Sequence, residues 1–196
     1  MQLNGEIEDP TQMSKVFIGT VGYHNLSNHS IGPVLLPEIQ KMKWASTFEV
    51  DELNWGPIAV VQKFQSLSTP FDRVILLSAF ERHNRNVGDI TIYRWGGKLP
   101  GEEMIQRCIG DAVTGVISVE NLLIIGEYFK IWPNETIFVD VEPGAEQAGE
   151  NLTLEMQKAI PELMMALKHV SYADQKELIK FKSLFGNTLI KQDAGK

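Results

Sequence analysis

The sequence predicts a three-layer α/β fold, a mostly parallel twisted sheet of about five strands held between helices. Three observations predict it. Short apolar, β-branched runs alternate with helical patterns along most of the chain, the order that builds a parallel sheet. The run Arg73-Val-Ile-Leu-Leu-Ser-Ala is apolar on both faces, as a strand covered by helices on each side must be. The first apolar run leads straight into Gly19-Thr-Val-Gly22 and then into a helical pattern. A glycine-rich loop is thereby placed at the carboxyl end of a parallel strand, the edge where open α/β sheets bind ligands.

Residues 1–14 are polar and turn-rich and read as a flexible leader. A strand follows over 15–21, and apolar residues at helical spacing over 30–42 predict the first helix. Ser46-Thr-Phe-Glu-Val-Asp51 fits a second strand, and 57–65 a helix that ends before Thr69-Pro70. After the buried strand at 73–79, residues 88–95 alternate in polarity, which predicts a strand with one wetter face at the sheet edge. Residues 96–115 are glycine-rich, read as irregular, and carry Cys108. A helix over 116–130 and a last strand over 135–141 come next. Leu154, Met156, Ile160, Leu163 and Leu167 mark a long amphipathic helix over 153–169, with Pro161 predicting a kink. A polar helix over 172–185 and a frayed tail complete the chain. The expected organisation is a leader (1–14), an α/β domain (15–170) and a C-terminal helical extension (171–196), without internal repeats.

Composition narrows the function. A chain of 196 residues with 43% hydrophobic and 22% charged residues suits one soluble domain with a full core. The net charge of −7 argues against nucleic acid, whose phosphates demand a clustered basic surface. The single cysteine excludes an internal disulfide and a multi-cysteine zinc cluster. No apolar run approaches membrane-spanning length and the polar start lacks a signal-peptide layout, so the cytoplasm is the expected location. The loop Gly19-x-x-Gly22 does not place a third glycine as the dinucleotide fingerprint requires, and no Lys-Ser/Thr phosphate loop exists.

The segment Gly22-Tyr-His-Asn-Leu-Ser-Asn28-His29-Ser-Ile-Gly32 resembles the opening motif of the hydrogenase maturation proteases, roughly Gly-x-Gly-Asn-x-Leu-x-x-Asp-Glu-x-x-Gly. Val139-Asp-Val-Glu142-Pro143, followed by Leu152-Thr-Leu and Ala159-Ile-Pro161, resembles that family's final strand and helix. The similarity spans about 15–170. It implies a metal-dependent endopeptidase that clips the C-terminal tail of a hydrogenase large subunit after nickel insertion.

The resemblance also implies three metal ligands, and this chain has edited them. Where the family has its ligand Glu, preceded by Asp, stand His29 and Asn28. Ser78 takes the place of the acid ending the third strand, and Thr114 that of a histidine before the fourth helix. Histidine can hold nickel or zinc, whereas serine is a poor ligand for either. The acid after the second strand is matched by Glu52, a candidate ligand or general base. Glu81, His83 and Asp111 are candidate replacement ligands. Two readings follow. The first is a relative whose metal site is degenerate and which binds a protein tail or small ligand. The second is an active endopeptidase with a rebuilt site.

Blander readings stand beside these. His29 can cap a helix or line a wet cleft, His24 reads as a surface residue, and His83 lies in a polar run. Ser78 lacks the Gly-x-Ser-x-Gly elbow of a nucleophile and reads as a small residue ending a buried strand. Tyr23, Trp55 and residues 96–108 are candidate walls of a peptide cleft. Oligomeric state is not legible.

Overall fold

The structure, a computed structural model, describes residues 14–82 and 84–184. All but the last residue of the expected leader, the end of the tail, and His83 lie outside the described residues. The chain runs β1 (Val16–Thr20), α1 (Ile31–Lys41), β2 (Phe48–Glu52), α2 (Pro57–Gln65), β3 (Arg73–Ala79) and β4 (Ile90–Trp95). It continues through α3 (Glu102–Thr114), α4 (Val119–Tyr128), β5 (Glu135–Val141), α5 (Leu154–Tyr172), α6 (Gln175–Leu178) and β6 (Lys182–Leu184). The strands form one sheet in the order β2-β1-β3-β5-β4-β6. β2, β1, β3 and β5 are mutually parallel, and β4 runs antiparallel to β5.

The β-branched and leucine-rich strands can be apolar on both faces because helices cover both. On one face Phe17, Leu76 and Phe138 pack with Val60 and Phe64 of α2, Cys108 of α3 and Leu123 of α4. On the other, Ile18, Ile75 and Val139 pack with Leu35 and Ile39 of α1 and Leu163 and Leu167 of α5. The result is the expected three-layer sandwich.

Several elements differ from the sequence reading. Residues 96–115 are not irregular: α3 occupies most of them. Its apolar stripe, Met104, Ile105, Cys108 and Ala112, follows helical spacing and packs on the core, and Gly115 closes it in the left-handed conformation at φ 81°. β4 is not the sheet edge, since β6 pairs alongside it from Tyr93 with Lys182 to Trp95 with Leu184. Among the described residues the sheet therefore has six strands, and the part of the expected polar helix at 172–184 that they cover is the end of α5, the short α6 and this strand. α5 runs through Pro161 as one continuous helix and extends to Tyr172.

The order places β2 on one side of β1 and β3 on the other, so the chain switches direction across the sheet between β1 and β3. Crevices open outside the carboxyl ends of parallel strands at such a point. Gly32 lets the start of α1 press against that edge: a Cβ there would lie 2.8 Å from the Val21 carbonyl oxygen and 3.3 Å from that of Leu77.

Candidate functional site

A cleft of about 240 Å³ opens at this switch point. Val21 and Gly22 leave β1 into its floor, Ser78 and Ala79 end β3 there, and Ile117 to Val119 at the start of α4 form the opposite wall. Gly22 has φ 149°, and a Cβ on it would meet the His29 carbonyl oxygen at 2.9 Å. The tight loop needs glycine. It curls into a 3-10 turn, Ser27–Ser30, which delivers His29 to the cleft.

The structure brings His29, Ser78 and Glu81 to the same cleft, joined by Glu146 from the segment between β5 and α5. Ser78 is buried, and its hydroxyl donates to the carbonyl of Ala79 at 3.3 Å. Thr114 does not line the cleft. It ends α3 at the surface, where its hydroxyl donates to the carbonyls of Asp111 (2.9 Å) and Gly110 (3.3 Å). The residue facing the cleft at this level is Ser118, whose hydroxyl caps α4 by accepting from the Asn121 amide at 3.1 Å.

Glu52 ends β2 at the same sheet edge but is not among the residues that line the cleft. One of its carboxylate oxygens lies 3.0 Å from Nε2 of the exposed His24 and also accepts from the Asn54 amide group. Asn54 in turn accepts from the Gly22 amide at 3.1 Å, so this cluster braces the loop. Asp111, on α3, is likewise outside the cleft lining, and its carboxylate lies 3.5 Å from the Asn121 side-chain nitrogen. Of the candidate peptide walls, Tyr23 lines the cleft and accepts from the Ile117 amide at 2.7 Å. Trp55 and residues 96–108 do not line it; the Trp55 ring lies beside Lys63 instead.

Asn28 is a buried clamp. Its Nδ2 donates to the Pro143 carbonyl (2.9 Å) and to Thr153 Oγ1 (3.2 Å), while its Oδ1 accepts from the Thr153 amide (2.9 Å). An acid here could not donate to the Pro143 carbonyl, which accounts physically for an amide where the resemblance leads one to expect Asp.

Sequence reasoning missed the strongest charge cluster beside the cleft. Asp140 of β5 pairs in register with Ser78 and is wholly buried. Its Oδ2 accepts from Arg82 Nε and Arg85 Nη1, both at 2.7 Å. Burial pushes the Asp140 carboxyl above the usual carboxylate range, and the two guanidinium groups oppose that push. The Arg82 guanidinium also stacks on Phe80 and Tyr93. Glu142, nearly as buried, accepts from the amides of Arg82 (2.8 Å) and Gly144 (3.1 Å). The β3–β4 connection is thereby fastened to the end of β5. The sequence signal was present: Glu-Arg-x-x-Arg after one strand, and Asp-x-Glu at the end of another, after the apolar run Ile137-Phe-Val.

The described residues alone do not make a nickel or zinc site. Among them no three His, Cys, Asp or Glu side chains come together as such an ion needs, and the hydroxyls of Ser78 and Ser118 supply neither charge nor soft donors. No single helix among them is long and apolar enough to cross a membrane.

A parallel-sheet α/β protein with an edge cleft at the β1/β3 switch point is thus defined. More particularly, its fold is hydrogenase maturation protease-like. The hydrogenase maturating endopeptidase HybD from Escherichia coli aligns over 80% of this chain and 92% of its own, with TM-score 0.56 and 17% identity. The NiFe hydrogenase maturation protease HycI from Thermococcus kodakarensis aligns over 82% and 94%, with TM-score 0.57 and 14% identity. An endopeptidase from Escherichia coli gives 82% and 95%, with TM-score 0.58 and 16% identity. At these identities the likeness is one of fold. No family model matches the chain, and no curated protein sequence matches it.

Proposed function

We propose that this chain is a maturation-protease-like protein with a degenerate metal site, which uses its cleft to bind a protein tail and has lost endopeptidase activity. The observation that carries the reading is that His29, Glu81 and Glu146 line the cleft with Ser78 and Ser118, yet among the described residues no three His, Cys, Asp or Glu side chains come together as a metal peptidase needs. Losing two of three ligands abolishes a three-ligand site, because one imidazole cannot hold the ion or fix its geometry. What remains is an apolar cleft with a few polar groups, the kind of surface that captures a side chain from a partner. The fold neighbours are described as hydrogenase maturation peptidases, so the large-subunit tail of a hydrogenase is the first partner to test.

One observation favours the second reading, an active endopeptidase with rebuilt ligands: Glu81 lines the same cleft as His29. The experiment that separates them is incubation of the full chain with a hydrogenase large-subunit precursor, with and without nickel, read by intact mass and by co-elution. The proposal expects a complex with the tail intact. A precursor shortened at its C-terminus only when this chain is present would establish the peptidase.

A further inference from the structure

Past Glu146 the cleft adjoins a second hollow of about 300 Å³, bounded by Asn28, Val87, Pro143, Gln147 and Glu155. Glu146 lines both, so the two hollows meet at this residue. The walls of the first hollow are apolar, built from Val21, Tyr23, Leu26, Phe80, Ile117 and Val119. Its charged rim has one sign. Glu81 and Glu146 face the first hollow and Glu146 and Glu155 the second, and among the described residues no Lys or Arg lines either. The chain reinforces this bias. From 131 to 157 it contains no Lys or Arg, and Glu146, Glu150 and Glu155 of that stretch are exposed. The nearby guanidinium groups of Arg82 and Arg85 are committed to Asp140 beneath the loop.

An apolar slot stabilises a ligand by removing apolar surface from water. A rim of carboxylates over low-dielectric walls concentrates negative potential, which draws in a cation and repels an anionic chain. The geometry points to a cationic peptide segment as the occupant. A large apolar side chain packs in the first hollow against Val21, Leu26, Phe80 and Val119, a Lys or Arg sits against Glu146, and the peptide continues toward Glu155. The inference rests on the tail-binding reading and adds the chemistry of the tail.

Hexapeptide positional-scanning libraries, with Phe or Leu fixed beside Lys, Arg, Asp or Glu, test it by fluorescence polarisation on the full chain. The Lys and Arg libraries are expected to bind about tenfold tighter than the Asp and Glu libraries, a preference that shrinks as salt rises. Glu146→Gln, on an exposed loop, should remove most of that preference, and Glu38→Gln, on the outer surface of α1, should leave it intact. Binding indifferent to charge, or a preference unchanged in Glu146→Gln, overturns the cationic assignment and leaves tail binding standing. No peptide binding at any composition overturns both.

Discussion

Asn28 shows how one atom decides a position. Its amide nitrogen donates where a carboxylate would meet the Pro143 carbonyl oxygen, inside a buried contact between the first loop and the start of α5. Asn28→Asp should therefore destabilise the fold by about 1–3 kcal/mol, the cost of a buried acceptor left facing another acceptor. Urea unfolding measures it, and an unchanged midpoint would mean that the clamp is slack. Cys108 illustrates burial acting on a titrating group. Loss of hydration pushes its thiol up to about 11, so it stays protonated and unreactive at neutral pH. The native protein should resist a thiol-disulfide reagent at pH 8 and react fully in denaturant. Because the folded state holds this proton more tightly than the unfolded one, the group's contribution to stability is complete below the unfolded pKa. It declines as pH rises toward 11. Cys108→Ala should flatten that alkaline decline, which pH-dependent melting would register.

At the scale of elements, buried ion pairs to Asp140 help hold the connection between β3 and β4, beside the packing of Phe80 and Val87 on the core. Asp140 satisfies two guanidinium groups that are themselves largely buried, with side-chain exposures of 12% for Arg82 and 13% for Arg85. Removing the shared anion would strand both. Asp140→Asn should cost about 3–5 kcal/mol, and hydrogen exchange should show the loss spreading from residues 80–89. Full stability in that variant would show that the bracket contributes nothing. Elements also differ in how far sequence reveals them. The parallel strands were legible because burial on both faces leaves uninterrupted apolar runs. α3 was obscured because flanking glycines and charged residues dilute a four-residue stripe that only its packing on α2 and α4 makes visible. The three described residues of β6 are too few to show any periodicity, and they pair with β4.

The whole molecule is a maturation-protease-like frame with a cleft at the β1/β3 switch point. Gly22 and Gly32 were readable as frame because backbone crowding admits no side chain there. His29 and Ser78 line the cleft, whereas Thr114 ends α3 outside its lining, because the extent of α3 could not be seen in the sequence. Glu146 was not singled out, since a glutamate in an exposed loop carries no local signature. Its place at the rim emerges only when the end of β5 and the first loop are brought together, as the bridge between Leu26 and Gly149 does. The central proposal is that the cleft of this maturation-protease-like fold recognises a tail and does not cut it. The most direct measurement of that claim is calorimetric titration of the full chain with nickel and with zinc, run in parallel on His29→Ala. The account predicts no one-to-one binding that depends on His29. Tight one-to-one binding that disappears in His29→Ala would contradict it and return the chain to the metal peptidases.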